Sequence, residues 1–311
     1  MSHTNARNPE IQPDRKPRVS VGMPVYNGEE FIRQAIEAIL NQSLQDIELI
    51  ICDNASNDAT GEICREFAKT DGRLRYYANP VNIGVTDNYN KTFEYARGEY
   101  FKWASCNDYC DSRLMERCAE MLDCRPDAVL CYPKTYLFDS DINDAEEYED
   151  NLDLQQEDPV FRFELLIDRV RLNNAMNGVI RAEALRNTRL HMAFWSSDWN
   201  LLAELVLQGK FIELPARLFY RRINAQSHSS LQTEAEILQR FWPNDDGALK
   251  FRTWRQHKEY FSAVFRSTLG LGQKCRMCAI LLRRLNWRRQ ILAREFFSAL
   301  LKRNGKMPMD P

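Results

Sequence analysis

Residues 47–60 read IELIICDNASNDAT, an apolar run that stops at Asp53 and gives way to small polar side chains. A strand buried on both faces of a parallel sheet reads as a near-continuous apolar run. In open α/β sheets, ligands lie beyond the carboxyl ends of such strands. Two other runs end in the same manner. VSVGM at 19–23 stops at PVYNG, and YFKWA at 100–104 stops at SCND. Three polar tips within about 90 residues point to one ligand along one edge of one sheet.

The spacing between the tips supports that sheet. Phe31, Ile32, Ala35, Ile36, Ile39 and Leu40 recur at helical intervals after the first strand (18–24). A helix over 60–69 follows the second strand (47–53), then a short strand at 74–78. A helix over 86–96 stops near Gly98. A strand at 99–104, a helix over 112–124 and a strand at 128–132 complete the first half. Strands alternating with helices of about ten residues predict a doubly wound, mostly parallel α/β sheet. The second half is less regular. The acidic stretch 139–158 is predicted as a solvated loop, 160–171 as a helix, 173–180 as a strand and 199–208 as an apolar helix capped by Gly209. Segments 211–214 and 217–223 read as a final strand pair, with helix from about 231 onward.

The 311 residues carry a net charge of −2, so no overall field points to nucleic acid. The charge is unevenly placed. Residues 139–158 hold ten Asp and Glu and no Lys or Arg, whereas 248–306 hold 15 Lys and Arg against Glu259 and Glu295. Nine scattered cysteines and no recognisable signal peptide suggest reduced thiols and a cytoplasmic setting. Cys275 and Cys278 have metal-like spacing but no second pair nearby, which disfavours a zinc site.

Four segments can carry chemistry, and each has a plainer reading. Asp53 can accept hydrogen bonds from the N–H edge of a base, or it can cap the following turn. In Pro24-Val25-Tyr26-Asn27-Gly28-Glu29, Tyr26 can cover a flat ring, or the segment is an ordinary strand-to-helix turn. Neither G-x-G-x-x-G nor G-K-[ST] occurs there, which disfavours dinucleotide and P-loop sites, and a nucleotidyltransferase as well. Asn107-Asp108 can help hold a hard cation, which needs one or two carboxylates and keeps water for the rest, or it is a turn. Asp198, between Trp195 and Trp199, can be a general base or the N-cap of the helix it precedes. No serine sits in G-x-S-x-G, so a hydrolytic triad is disfavoured.

In order along the chain, VGMPVYNGE (21–29), DNASND (53–58), NIG (82–84), ARGEY (96–100) and SDWNLLAEL (197–205) resemble the family 2 glycosyltransferases. The likeness runs from about 18 to 226. It implies a GT-A-type mostly parallel sheet flanked by helices, a nucleotide-diphospho-sugar donor, a divalent metal (Mg²⁺ or Mn²⁺) and transfer with inversion to an acceptor hydroxyl on a glycan, polysaccharide precursor or lipid-linked acceptor. Pro24, Val25, Tyr26, Glu29, Asp53 and Ser56 then fall in the nucleoside-holding segments. Asn82, Gly84, Asn88 and Asn90 fall in the segment lining the donor site. Asn107 and Asp108 fall at the metal and diphosphate motif, and Asp198 at the catalytic base. Two positions depart from the pattern. Asn107 stands where the family usually has Asp, and RRIN at 221–224 replaces Arg-Arg-x-His, with His228 four residues on as a substitute metal ligand. Both departures leave open a donor-binding relative without catalysis.

The reading divides the chain into a disordered tail (1–17), a GT-A domain (18–228) and a helical basic C-terminal extension (229–311). Within the extension, Leu281, Leu285, Leu292, Phe296 and Leu300 fall roughly on one face, with arginines interspersed. Such a helix can lie in the headgroup layer of an anionic membrane, giving peripheral contact with its inner face. A helix packed on the catalytic domain, basic face outward, is the alternative.

Overall fold

The computed structural model describes residues 16–223 and 251–303, the last five by backbone alone. The metal-ligand expectation at His228, the departure at Asn224 and nearly all of the N-terminal tail lie outside the described residues.

The predicted alternation is present from β1 (Val19–Val25) through α1 (Ile32–Leu40), β2 (Ile47–Asp53), α2 (Thr60–Thr70), β3 (Leu74–Ala78), α3 (Val85–Glu94), β4 (Tyr100–Trp103), β5 (Tyr109–Cys110), α4 (Leu114–Cys124) and β6 (Ala128–Phe138). β7 (Glu146–Tyr148), α5 (Pro159–Arg169), β8 (Val179–Arg181), α6 (Ala182–Arg186), α7 (Ser197–Val206) and β9 (Lys210–Arg222) follow. Three further helices are α8 (Arg252–Arg266), α9 (Leu271–Trp287) and α10 (Arg289–Arg303). The sheet order is β3-β2-β1-β4-β8-β6-β9-β5, with β7 on β6. β1, β2, β3 and β4 are mutually parallel, and so are β6 and β9. β8 is wedged antiparallel between β4 and β6.

Register sets the tips level. Val25 pairs with Asp53 and Asp53 with Ala78, so the polar ends of β1 and β2 face one edge. The same edge receives α3, which lies close on β1 because Gly22 has no side chain. A Cβ there would sit 2.5 Å from Thr92 Oγ1 and 2.6 Å from Phe101. One face of the sheet buries Met23, Leu49 and Ile51 against α1 and α4. The other buries Phe101, Leu130 and Phe211 against α5 and α7, and α8 and α9 add Tyr260, Val264, Met277 and Leu281 to that same core.

Four expectations need correction. The acidic stretch is not a solvated loop. It contains a 3₁₀ turn at Ile142–Asp144 and β7, and Leu152 and Leu154 are fully buried. Most of the acids face water while Leu152 and Leu154 face the core, and Asp150 is buried, accepting from Thr135 and Asn174, a pattern that charge density hides. Segment 173–180 is a 3₁₀ turn at Asn174–Asn177 followed by the three-residue β8, too short to show alternation. The final strand pair is the single strand β9. Its register against β6 jumps from Leu214 to Arg217, because Pro215 has no N–H for the ladder. The C-terminal basic helix is two helices that meet at Arg288. Leu281 and Leu292 are buried, and Arg276, Arg283 and Arg284 pair with Asp158, Glu164 and Asp168 on or beside α5. Leu281 and Leu292 of the expected lipid-facing stripe are therefore used for packing, while Phe296 is exposed.

Candidate functional site

The turns after β1 and β2 are stitched together by short polar side chains. Asn27 and Ala55 adopt left-handed backbone (φ 49° and 63°). Asn27 N–H donates to Ser56 Oγ at 2.9 Å, Gly28 N–H to Thr60 Oγ1 at 2.8 Å and Glu29 N–H to Asp58 Oδ2 at 3.1 Å. Glu29 Oε2 in return accepts the Ala59 N–H at 2.9 Å. Asp53 is buried at the tip of β2. Its Oδ1 accepts the Ser56 N–H at 2.9 Å and its Oδ2 accepts the Tyr76 hydroxyl at 2.7 Å. Both the capping and the tip-site readings of Asp53 thus have physical content: one oxygen caps the turn, and a carboxylate oxygen has lone pairs beyond one bond. Tyr26 stands half exposed above this surface.

The Asn82–Asn90 segment is built from amides. Asn54 donates to Asn82 Oδ1 at 2.8 Å and accepts from Asn79 Nδ2 and from the Ile83 N–H. Asn88 is buried, donating to the Cys52 carbonyl at 2.8 Å and accepting from Asn79 at 2.9 Å. Gly84 precedes α3 with φ 87°, a conformation open to glycine. Asn88 therefore ties α3 to the end of β2, and Asn90 reaches elsewhere: its amide clamps the backbone of His191, 2.8 Å to the carbonyl and 3.0 Å from the N–H.

Beside these tips opens a cleft of about 360 Å³. Tertiary structure brings to its wall Asn107 and Asp108 from the β4 tip, Asp198 from the first turn of α7, and Arg171, Arg221 and Arg222. The β1 turn adjoins it, since a Cβ on Gly28 would lie 3.2 Å from Cys106 Sγ, and the Arg222 guanidinium sits 4.8 Å over the Phe31 ring. Asp108 Oδ1 accepts the Arg222 N–H at 2.9 Å. Burial raises the Asp108 carboxyl above its ordinary range, opposed by the charge of Arg221 and that same N–H. Asn107 Oδ1 is occupied by the Ser105 hydroxyl at 2.5 Å. Asp198 Oδ2 accepts from Asn173 Nδ2 at 2.7 Å. Burial also raises the Asp198 carboxyl, and the Asn173 bond opposes it. A larger hollow of about 480 Å³ lies at the opposite edge of the sheet, among Arg18, Asp46 and Glu99, away from the carboxyl ends of the strands.

Among the described residues no group of three or more His, Cys, Asp or Glu converges as a ready-made metal cage. Asp108 still fits a hard cation. Among the described residues its Oδ1 takes the Arg222 N–H and its Oδ2 takes no hydrogen bond, and such an ion takes one or two carboxylates together with phosphate oxygens and water. Sequence reading did not single out Asn173, His191 or Arg171 as site residues. They sit far from the strand tips in the chain and carry no motif. Arg221 and Arg222 were visible as a basic pair, but their place on the cleft follows from β9 lying beside β6.

Residues 20–178 match the profile of glycosyl transferase family 2. Among curated proteins, the uncharacterized glycosyltransferase EpsJ of Bacillus subtilis is 36% identical over 104 residues, covering 33% of this chain and 30% of that protein. An uncharacterized protein of Mycobacterium tuberculosis (strain H37Rv) is 27% identical over 224 residues, covering 70% of this chain and 61% of that protein. The chain spans 30% to 40% of the length of the first curated relatives it matches. In overall fold it is similar to S. aureus TarS 1-349 in complex with UDP-GlcNAc (TM-score 0.64, 15% identity, 88% of this chain and 74% of that one). It is also similar to the mannosyltransferase PcManGT from Pyrobaculum calidifontis in complex with GDP-Man and Mn²⁺ (TM-score 0.54, 14% identity, 93% and 76%). The architecture is that of the GT-A glycosyltransferases, as the resemblance implied. With the family profile spanning half of its length, the chain belongs to glycosyl transferase family 2.

Proposed function

We propose that the chain is an inverting glycosyltransferase that moves a sugar from a nucleotide-diphosphate donor to an acceptor hydroxyl. The observation that carries this reading is the cleft itself. Asp108 and Asp198, 90 residues apart in the chain, line it with Arg171, Arg221 and Arg222. In this reading Asp53, Tyr26 and the turns of β1 and β2 hold the nucleoside, and the arginines face the diphosphate. The fold relatives that bind UDP-GlcNAc or GDP-Man support a donor of that class. Asp108 would hold a divalent ion against the diphosphate, where the ion offsets charge on the departing group. Asp198 takes the acceptor hydroxyl's proton. Its raised pKa makes it a stronger base at neutral pH, and the Asn173 bond fixes its orientation. A single displacement requires no covalent intermediate, consistent with the absence of a nucleophile elbow.

Screening UDP-, GDP- and dTDP-sugars with Mg²⁺ or Mn²⁺ for thermal stabilisation identifies the donor. With that donor, Asp198→Asn is expected to cut transfer by about 10²–10⁴-fold while leaving donor affinity intact. An unchanged transfer rate would show that Asp198 is not the base. A donor-binding relative without catalysis is the second reading, favoured by Asn107, which brings a neutral amide where a second carboxylate would serve a hard cation and whose oxygen already accepts the Ser105 hydroxyl. Donor hydrolysis that disappears in Asp108→Ala excludes it.

A cytoplasmic setting is supported by nine free cysteines. No helix among the described residues is long and apolar enough to cross a membrane. Peripheral contact with an anionic bilayer would fall to Trp287, Ile291, Phe296 and Phe297, all exposed and flanked by Arg289 and Arg294. Co-sedimentation with phosphatidylglycerol vesicles, reduced by Trp287→Ser with Phe297→Ser and by high salt, is the expected outcome. No pelleting at low salt would remove the membrane from the account.

A further inference from the structure

Lys102 is the one charged residue in the run YFKWA at 100–104 that gives β4, and it is fully buried. β4 lies inside the sheet, between β1 and β8, where an apolar side chain would pack without electrostatic cost. A buried ammonium is costly unless other groups compensate it. Its hydrogen bonds go to carbonyl oxygens, at 3.0 Å on Trp103 and 2.6 Å on Asn177, and the Phe219 ring centroid lies 5.7 Å from Nζ. Carbonyl dipoles and a ring face solvate a cation without neutralising it. Among the described residues Lys102 forms no salt bridge, so its counter-charge lies beyond direct contact. Lys102 and Asp108 line the same small void of about 10 Å³, together with Ser105, Cys110 and Phe219. Asp108 and Ser105 also line the cleft. The carboxylate therefore reaches the cleft with the ammonium buried behind it. Burial raises the Asp108 carboxyl, and Arg221, the Arg222 N–H and Lys102 oppose the rise.

We propose that Lys102 is the resident counter-charge of Asp108, supplying from inside the sheet part of the positive charge that a divalent ion would supply from the cleft. A nucleoside diphosphate is then held with little dependence on the ion. This rests on the reading of Asp108 as the ion-holding carboxylate of a donor site, and goes beyond it in making that site less reliant on the ion. The charges on the wall favour the same outcome. Arg171, Arg221 and Arg222 stand there against two carboxylates, Asp108 and Asp198, and Asn107 is neutral. Carboxylates draw a hard cation and fixed positive charges repel it, whereas a diphosphate responds in the opposite sense. Water and salt screen a fully buried ammonium weakly, so its field acts on Asp108 at nearly full strength. Lys102 acts through Asp108 and is a positioning residue, not a catalytic one. A plainer role would be to tie the carbonyls of Trp103 and Asn177 together. Removing its charge separates the two roles, because the plainer one carries no preference for the sign of a ligand.

The test compares the full chain with its Lys102→Met variant, which keeps much of the side chain's length and removes the charge. Binding of Mn²⁺ alone is followed by electron paramagnetic resonance, and binding of UDP and GDP by calorimetry, in EDTA and in Mn²⁺. The unaltered chain is expected to bind UDP or GDP in EDTA within about tenfold of its affinity in Mn²⁺. Lys102→Met should bind Mn²⁺ roughly tenfold more tightly and UDP or GDP in EDTA roughly tenfold more weakly, the scale that one unit charge sets at an effective dielectric of about 20. Opposite signs are the signature of charge, since loss of the two carbonyl bonds alone would weaken both ligands together. Lys102→Gln keeps an N–H donor for a carbonyl and should give the same pair of changes should Lys102→Met fail to fold. Unchanged Mn²⁺ affinity in a folded variant, weakening of both ligands, or nucleotide binding by the unaltered chain that vanishes in EDTA overturns the proposal. Failure of both nucleotides to bind under any condition would instead count against the donor site, and the Mn²⁺ measurement would still decide the role of Lys102.

Discussion

At the scale of single residues, the cleft holds carboxylates where burial disfavours charge. Asp198 has a folded-state pKa above its ordinary 3.8. Below 3.8 it is protonated whether the chain is folded or not, and its burial carries no charge penalty. As pH rises through the raised folded value, the folded state must hold a desolvated charge and loses stability relative to the unfolded chain. Asp198→Asn is therefore expected to raise the melting temperature at pH 7, with the gain shrinking as pH falls through the carboxylate range. Melting curves of both proteins from pH 4 to 8 check this, and a gain that grows on acidification would reverse the assignment.

At the scale of elements, β2 joins the sheet through a buried carboxylate that no sequence pattern flags. Glu48 is 3% exposed inside an otherwise apolar run. Ser20 donates to it at 2.6 Å, the Arg97 N–H at 2.8 Å and Arg75 at 2.8 Å, tying β1, β3 and the turn into β4 to one side chain. Burial pushes its pKa up, but these donors outweigh burial and the net shift is downward. A depressed folded pKa gives stability that is present above the ordinary 4.5 and lost as pH falls through the folded value. Glu48→Gln is expected to cost about 2–3 kcal/mol at pH 7, the solvent-exposed parts of Arg75 and Arg97 keeping it below the loss of a fully buried pair. Urea denaturation measures it, and the difference should narrow in acid. The alternation of β1 to β4 was legible because each element is long enough to show its period. β5 and β8, at two and three residues, were not.

At the scale of the whole molecule, the C-terminal helices bear on the cleft. α8 packs on α7, the helix that carries Asp198. Asn200 donates to the Gln256 carbonyl at 3.3 Å, and Arg189 bridges Glu204 of α7 and Glu259 of α8 at 2.7 and 2.5 Å. Tyr260 is buried against Phe163 in the same core. Truncating Tyr260 to Ala is expected to cost about 3–5 kcal/mol of stability. Under the proposed function it should also reduce transfer more than donor binding, since in that reading α7 orients the base whereas β1 and β2 hold the nucleoside. Comparing the melting temperature, the donor affinity and the turnover of the variant separates those effects.

The order of strands and helices in the first half, the polar tips at Asp53 and Pro24 and the family resemblance all come from the sequence by itself. Each is a local matter of periodicity and of where an apolar run ends. The cleft is another matter. Asp108, Asn173, Asp198 and Arg221 come from four separate stretches of chain and meet through β8, α7 and β9. Their contacts depend on long-range register and on a bulge at Pro215, so no window of sequence contains them. Tertiary structure also decided the fate of the basic C-terminal stretch. Its charge pattern allowed either a lipid surface or a protein partner. The carboxylates of α5 and the apolar face of the sheet took up much of it, because burying Leu281 and pairing Arg284 with Asp168 require no partner beyond the chain itself.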